Sequence, residues 1–121
     1  MAMLRAVRGA TTIDADVADQ VQKRTQELVG EMLSRNGVAV DDLVSIVFTA
    51  TPDIRSAFPA TAARALGLGE VPLLGAVEQN VDGALAHCIR VMIHCYSDRP
   101  RAEIRHVYLE GARVLRADLA D

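Results

Sequence analysis

The residues best suited to chemistry in this 121-residue sequence are arginines near the ends of predicted strands and helices, together with one carboxylate and one phenol. An arginine keeps its charge at physiological pH, and its planar guanidinium can grip a carboxylate with two hydrogen bonds. Such residues suit a small substrate with two carboxylates, and a reaction promoted by shape and charge rather than by a nucleophile or a proton shuttle. The set comprises Arg8, Arg64, Glu78, Arg90, Tyr108 and Arg116.

Other kinds of site find no support in the sequence. It has no glycine-rich phosphate loop and no Ser-His-Asp or Cys-His arrangement on compatible faces. A metal site formed by Cys88, His94 and Cys95 fails, because the two cysteines have opposite parity in one predicted strand and point to opposite faces. The same parity predicts two separate, buried and reduced thiols. We therefore expect no metal and no cofactor.

Arg90 lies in residues 88–94, which predict a β-strand because they are rich in β-branched and apolar types and contain neither Gly nor Pro. Side chains alternate across a strand, so one wholly apolar face is formed by Ile89, Val91, Ile93 and Cys95. Arg90 points to the other face, where a guanidinium needs an anionic partner. The partner is either a carboxylate of the protein, in a structural ion pair, or a ligand. Both interpretations are open at this point.

The rest of the chain predicts further strands and two helices. Strands are predicted over residues 3–12, 42–51, 71–77 and 104–110. A helix capped by Asp14 or Asp16 ends at Asn36-Gly37, and a shorter helix begins at Pro59 and ends at Gly67. We expect a single domain over residues 1–121, in which helices cover the apolar faces of the strands.

Three of the strands share one design, a continuous apolar face opposite a mixed face. In the strand over residues 42–51, the apolar face is predicted to consist of Val44, Ile46, Phe48 and Ala50. The mixed faces carry Thr49, Arg90 and Tyr108. A monomer would leave this second face in water. Packing against copies of itself, in a closed symmetric oligomer with polar pockets between subunits, is the hypothesis that follows.

The composition narrows the class of protein. Hydrophobic residues make up 50% of the sequence and charged residues 24%, with a formal net charge of -3, as is typical of a globular protein. The acidic balance and the scarcity of aromatic residues argue against nucleic-acid binding. The N-terminus has no signal-peptide core, and no apolar run is long enough to span a bilayer. We therefore expect a cytoplasmic protein without membrane attachment.

Several blocks of sequence carry the candidate residues in a fixed order along nearly the whole chain. They are 8–12 (RGATT), 49–53 (TATPD), 57–60 (AFPA) with Arg64, Glu78, 88–92 (CIRVM), and 104–110 (IRHVYLE) with 114–116 (VLR). Together, and with the spacing between them, these blocks resemble the AroH class of chorismate mutase. No single block would be specific for this class, but the order and spacing of all the blocks together are specific for it.

This resemblance implies a fold of the α/β (α+β) class, with helices on one face of a mixed sheet. It also implies a homotrimer with a pseudo-barrel core and active sites in clefts between neighbouring subunits. The implied activity is the Claisen rearrangement of chorismate to prephenate, on the branch towards phenylalanine and tyrosine. The reaction is unimolecular and needs no cofactor, metal or covalent intermediate, which agrees with the motifs that the sequence lacks.

The resemblance also implies a role for each residue at a matching position. Arg90 is expected to hold the ether oxygen, where negative charge grows as the carbon–oxygen bond breaks. Glu78 accepts a hydrogen bond from the ring hydroxyl and lies near the developing positive charge of the ring. Arg8 binds a carboxylate of the enolpyruvyl side chain, and Tyr108 assists it. Arg90 and Glu78 are thus the implied catalytic residues.

The remaining implied contacts form the walls and mouth of the cleft. Arg64 and Arg116 attract the ring carboxylate at the mouth, where Thr61 replaces a lysine that some members of the class carry. Gly75 contributes its backbone N–H, at a position where some members carry a cysteine. The other wall residues are Phe58 and Ala60 of the neighbouring subunit, with Leu73, Leu74 and Leu115.

Two alternatives from other functional classes stay open. A non-catalytic trimeric module could bind a small carboxylate ligand between subunits with the same arginines. Such a module would gain nothing from Glu78 beside its anion, whereas a rearranging ring with developing positive charge would. An enzyme of different chemistry at a subunit interface would need a general base within reach of its substrate, and the sequence offers no clear one.

Overall fold

The computed structural model of the chain describes residues 1–115. Its main elements are β1 (Met3–Thr12), α1 (Ala18–Asn36), β2 (Leu43–Ala50), α2 (Pro59–Ala63), β3 (Leu73–Val77), β4 (Cys88–Ser97) and β5 (Val107–Tyr108). The strands form one five-stranded sheet in the order β3-β2-β4-β1-β5. β4 is antiparallel to both of its neighbours, whereas β2 with β3 and β1 with β5 are parallel pairs. The expected mixed sheet is therefore confirmed.

One face of the sheet is buried beneath the helices. The predicted apolar face of β4 is confirmed, since its side chains are at most 3% exposed at Ile89, Val91, Ile93 and Cys95. Leu28 and Met32 of α1 belong to the same core. Gly9 allows α1 to approach β1 closely, because a Cβ at this position would overlap the sulfur of Met32. The opposite face of the sheet is left for polar side chains.

The start of α1 differs from the prediction, because no side chain caps its first turn. Asp14 instead pairs with Arg24, with 2.9 Å between Oδ2 and Nη2. Asp16 accepts the backbone N–H groups of Arg55 and Ser56 at 3.0 and 3.1 Å. Hydrogen bonds lower the pKa of Asp16 below its ordinary value of 3.8, and the bond from the Ser56 side chain contributes most. Asp14 therefore binds a later turn of α1, whereas Asp16 joins two segments that are distant in sequence.

The other helix boundaries are confirmed. α1 ends at Asn36, and Gly37 follows in the left-handed conformation with φ of 60°. α2 begins at Pro59 and continues into a wider helical turn in which Gly67 has φ of 85°. Within residues 1–115, no helix combines the length and the apolar character that crossing a membrane would require.

The last predicted strand is wrong in its length. Of residues 104–110, only Val107–Tyr108 pairs with β1. The N–H of Leu109 still donates to the carbonyl of Ala10 at 2.9 Å. The chain then turns away, since Glu110 has φ of 51° and starts a 3₁₀ turn over Glu110–Val114. The left-handed conformation of Glu110 thus prevents the strand from continuing beyond Leu109.

The predicted apolar face of β2 is correct only in part. Ile46 and Phe48 are fully buried, as predicted. The pairing with β4 is irregular between Leu43 and Ser45, so one residue is skipped in the ladder. Val44 is that residue, and it is 37% exposed. A bulge of this kind shifts the alternation of side chains by one position, which a strict period of two cannot predict.

Candidate functional site

A row of side chains crosses the free face of the sheet. Arg90 of β4 lies opposite Thr49 of β2 on one side and opposite Ala10 of β1 on the other. Ala10 in turn lies beside Tyr108 of β5. Residues opposite one another in neighbouring strands point to the same face, with Cβ atoms about 5 Å apart. Arg8, two residues before Ala10, shares that face, so the ladder gathers Arg8, Arg90 and Tyr108 from three strands.

Glu78 follows β3 and completes this row. Its N–H donates to the carbonyl of Ala50 at 2.8 Å, and its Oε2 accepts the hydroxyl of Thr49 at 2.5 Å. The same oxygen is 3.6 Å from Nε of Arg90, which is a charge contact longer than a hydrogen bond. The Arg90 and Glu78 side chains are 46% and 28% exposed. Because an ion pair this open adds little stability, the interpretation of Arg90 as a purely structural residue loses support.

Arg8 and Tyr108 are held at the other end of the row. The N–H of Arg8 donates to Nδ1 of His106 at 2.9 Å, just before β5 begins. Tyr108 is only 7% exposed and belongs to a small apolar cluster, which also contains Ala10, Cys88, Leu85, Ala112 and Leu115. Tyr108 is therefore fixed by packing, whereas Arg8 is only partly buried.

The two cysteines of β4 are unsuited to nucleophilic chemistry. Cys88 and Cys95 are buried free thiols, as their parity predicted. Burial raises the pKa of both, and at Cys88 the nearby guanidinium of Arg90 opposes this rise without reversing it. A thiol with a raised pKa carries little thiolate near pH 7. Across the described residues 1–115, no group of three or more His, Cys, Asp or Glu side chains is placed to hold a metal ion.

A cleft of about 340 Å³ opens over the row. Five of the residues predicted for the site border it, namely Arg8, Glu78, Arg90, Tyr108 and Leu115. Two guanidinium groups and one carboxylate leave this lining net positive, which favours an anionic ligand. The prediction of site residues omitted Val47, Thr49 and Met92, which also line the cleft. Strand parity could have identified them, because it places a side chain on the same face as Arg90. Thr49 was already assigned to that mixed face.

Other predicted site residues do not border the cleft within this chain. They are Phe58, Ala60, Arg64, Leu73, Leu74 and Gly75. Phe58 is 79% exposed and Leu74 is 63% exposed, although both side chains are apolar. Ala60 is buried in α2, and Leu73 packs against the main core. Arg116 lies outside the described residues, so its predicted place at the mouth stays a prediction.

Comparisons with known proteins agree over nearly the whole chain. Residues 4–119 match the family described as chorismate mutase type I. A chorismate mutase AroH of Thermus thermophilus is 44% identical over 118 residues, which cover 97% of this chain and 97% of that protein. The chorismate mutase AroH of Bacillus subtilis (strain 168) is 41% identical over 119 residues, covering 98% and 94%. A solved chorismate mutase from Clostridium thermocellum is 47% identical and has a TM-score of 0.89, covering 90% of this chain and 97% of that one.

Proposed function

The chain belongs to the type I chorismate mutase family, and on that premise we propose that it rearranges chorismate to prephenate in the cleft over the row. The reaction is a Claisen rearrangement, in which an ether carbon–oxygen bond breaks while a carbon–carbon bond forms within one molecule. It serves the biosynthesis of aromatic amino acids. We further propose that the protein is cytoplasmic and that residues 1–121 act as one catalytic domain.

The convergence of Arg8, Glu78 and Arg90 on one cleft is the observation that carries this proposal. Chorismate has two carboxylates, and its transition state gathers negative charge on the ether oxygen and positive charge on the ring. Two guanidinium groups and one carboxylate in one cleft match this distribution of charge. A unimolecular rearrangement also needs no nucleophile, in keeping with the protonated thiol of Cys88.

Arg90 and Glu78 are the proposed catalytic residues. The guanidinium of Arg90 stabilises the ether oxygen as its negative charge grows. The pairing of β4 on both sides supports this role, because it fixes the backbone of Arg90 before the reaction begins. Glu78 accepts a hydrogen bond from the ring hydroxyl and stabilises the positive charge of the ring. Thr49 supports this role, since its hydroxyl bond to Oε2 restrains the carboxylate beside Arg90.

Arg8 and Tyr108 are proposed to hold the substrate rather than to promote bond breaking. They lie at the β1–β5 end of the row, where Arg8 is two strands and Tyr108 three strands away from Thr49. From there they bind the carboxylate of the enolpyruvyl side chain, and the packing of Tyr108 limits the freedom of its phenol. Leu115 contributes an apolar contact, while Arg64 and Arg116 draw the ring carboxylate to the mouth.

We also propose a homotrimer with a pseudo-barrel core, in which a neighbouring subunit completes each cleft. Phe58 and the edge strand β3 support this arrangement, because exposed apolar residues on a single chain mark surfaces of interaction. The exposed fractions are 79% for Phe58, 63% for Leu74 and 70% for Val77. The second wall would consist of Phe58 and Ala60 of the neighbour, with Leu73, Leu74 and the N–H of Gly75.

The activity is tested by adding chorismate to the purified protein and following the loss of its ultraviolet absorbance. Acid conversion of the product to phenylpyruvate identifies prephenate. We expect saturable conversion that persists in the presence of a metal chelator. A folded oligomer that leaves chorismate unchanged would instead support the non-catalytic module that binds a small carboxylate, an alternative that the comparisons do not favour.

The shared site is tested by mixing two inactive variants within one oligomer. Arg90→Ala removes the catalytic charge from one wall, and Phe58→Asp places a repelling carboxylate in the other. If each cleft takes Arg90 from one chain and Phe58 from its neighbour, random co-assembly leaves about a quarter of the clefts intact. We expect the mixture to recover activity that neither variant has alone. A sedimentation mass of one chain, or no recovery, would contradict the arrangement.

A further inference from the structure

Side chains fasten the start of β4 to the end of β2, in a cluster that we call the β4 clasp (Thr51, Asp53 and His87). The N–H of Thr51 donates to the carbonyl of Cys88 at 3.0 Å, and the N–H of Cys88 donates to Oγ1 of Thr51 at 3.0 Å. The Thr51 hydroxyl donates to Oδ1 of Asp53 at 2.5 Å. The N–H of His87 donates to the same carboxylate, at 3.0 Å from Oδ2. The clasp thus extends the β2–β4 pairing by side chains, one residue beyond its last ladder pair.

The hydroxyl of Thr51 is needed because its carbonyl is engaged in a turn, where it accepts the N–H of Ile54 at 3.0 Å. A hydroxyl can rotate, so it becomes a fixed acceptor only when its own proton is bound. Asp53 binds that proton. Burial acts to raise the pKa of Asp53, but hydrogen bonds from Thr51 and His87 outweigh it and lower the pKa below 3.8. The carboxylate therefore stays charged near neutral pH.

The clasp also holds a strained residue just before the strand. His87 has φ of 51°, a conformation that costs free energy in residues other than glycine. Its N–H is bound by Asp53, and its carbonyl accepts the N–H of Ile13 at 3.0 Å. Its Nε2 lies 3.8 Å from Oδ2 of Asp53. Contacts on both sides of His87 thus determine where β4 begins, at Cys88, two residues before Arg90.

We propose that Thr51 and Asp53 are positioning residues for Arg90. They fix the backbone at the start of β4, and through it the place of the guanidinium in the cleft. They act on Glu78 as well, because its N–H binds the carbonyl of Ala50, the residue before Thr51. The inference rests on the proposed function, since it requires Arg90 to be the group on the ether oxygen. Displacing a catalytic group by about 1 Å can cost about 10²-fold in rate.

The hydroxyl of Thr51 is tested with a matched pair of variants. Thr51→Ser keeps the hydroxyl, whereas Thr51→Val keeps the shape and loses it. We expect Thr51→Ser to stay within about twofold of the wild-type kcat, and Thr51→Val to lose about tenfold to about 100-fold. KM should change less than kcat, because Arg8 and Tyr108 hold the substrate from other strands.

The route through Arg90 is tested with a double-mutant cycle. Asp53→Asn keeps the size of the side chain but presents an amide to the donors of the clasp. If Asp53 acts mainly through Arg90, this change lowers kcat in the wild-type background and costs a clearly smaller factor in the Arg90→Ala background, where only its effect on Glu78 remains. Asn36→Ala is the control for lost stability, since Asn36 bonds the backbone of Arg105 and does not line the cleft. It should lower the melting temperature and leave kcat unchanged.

The wild-type protein is measured first, so that the two proposals are separated. A wild type that does not convert chorismate overturns the proposed function, and this inference with it. If the wild type converts chorismate and folded Thr51→Val keeps its kcat, the positioning role is refuted. It is also refuted if Asp53→Asn costs the same factor with and without Arg90, because the loss would then arise elsewhere in the fold.

Discussion

Replacement of Arg90 by alanine should separate catalysis from folding, and the structure sets both parts of the expectation. The side chain is 46% exposed and lies 3.6 Å from Glu78, and exposed pairs of this kind contribute about 0–1 kcal/mol. The fold should therefore survive, with a melting temperature within a few degrees of wild type. Removal of one preorganised charge-stabilising donor costs about 10²- to 10³-fold in kcat, or about 2.7–4 kcal/mol in the barrier. We expect a loss of that size.

The assay is the loss of chorismate absorbance, with circular dichroism and thermal unfolding measured on the same preparation. Arg90→Lys is the matched control for charge, because it keeps the positive charge and loses the planar two-pronged donor. It should also fall far below the wild-type rate. An Arg90→Ala variant that unfolds would show that the side chain is structural. One that keeps its rate would show that another group stabilises the ether oxygen.

Three further predictions address charge, packing and acidity. Glu78→Gln keeps the shape of the side chain and removes its charge, so kcat should fall by about tenfold or more without weaker binding of the dianion; an unchanged kcat would contradict this. Gly9→Ala places a Cβ against the sulfur of Met32 and should cost about 1–3 kcal/mol in urea unfolding, whereas an unaltered midpoint would show that α1 can move away. Asp16 and Asp53 have lowered pKa values, so the folded state binds fewer protons than the unfolded state at mildly acidic pH. The stability that these carboxylates add is therefore present above about pH 4 and is lost as the pH falls through their folded pKa values. Unfolding measured from pH 6 to pH 3 should show this loss, and the Asp16→Asn/Asp53→Asn double variant should lose less.

The sequence predicted the structure best where a few neighbouring residues determine the local conformation. The alternation in β4 correctly separated Ile89 and Val91 from Arg90, because a strand buried on one face must alternate along its length. Gly37 and Pro59 likewise mark helix ends through their own backbone preferences. Each of these features depends on a few neighbouring residues, so a pattern of residue types is enough to predict it.

Features set by competition between possible contacts could not be predicted in this way. Asp14 and Asp16 both suit a helix cap, but Arg24 binds one of them and the loop after β2 binds the other. Which contact prevails depends on where the chain folds back, and spacing does not contain that information. The early end of β5 is similar, since Glu110 adopts a left-handed conformation that its residue type does not favour.

The site residues that were predicted correctly are those that strand parity and the family resemblance both indicate. Arg8, Arg90 and Tyr108 lie on one face because their strands pair in register. Thr49 was missed as a site residue, although its parity was known, because its value lies in a hydroxyl bond to Glu78 that only the fold creates. The clasp was missed for the same reason, since His87 lies more than thirty residues from Thr51 and Asp53 in the sequence.

The polar cleft and the exposed apolar residues follow from the same arrangement of the sheet. The helices cover one face, and the other carries guanidinium groups that cannot form a dry core by themselves. Phe58 and Leu74, by contrast, are apolar side chains that a single chain leaves exposed to water. A neighbouring copy that placed its Phe58 over the cleft would bury the apolar surface and also remove water from around Arg8 and Arg90. Charges act more strongly on a ligand where the surroundings are less polar, so assembly would strengthen the electrostatic stabilisation on which the rearrangement depends. A substitution that weakens the contact around Phe58 should therefore lower kcat even where the trimer persists, because water returns to the cleft.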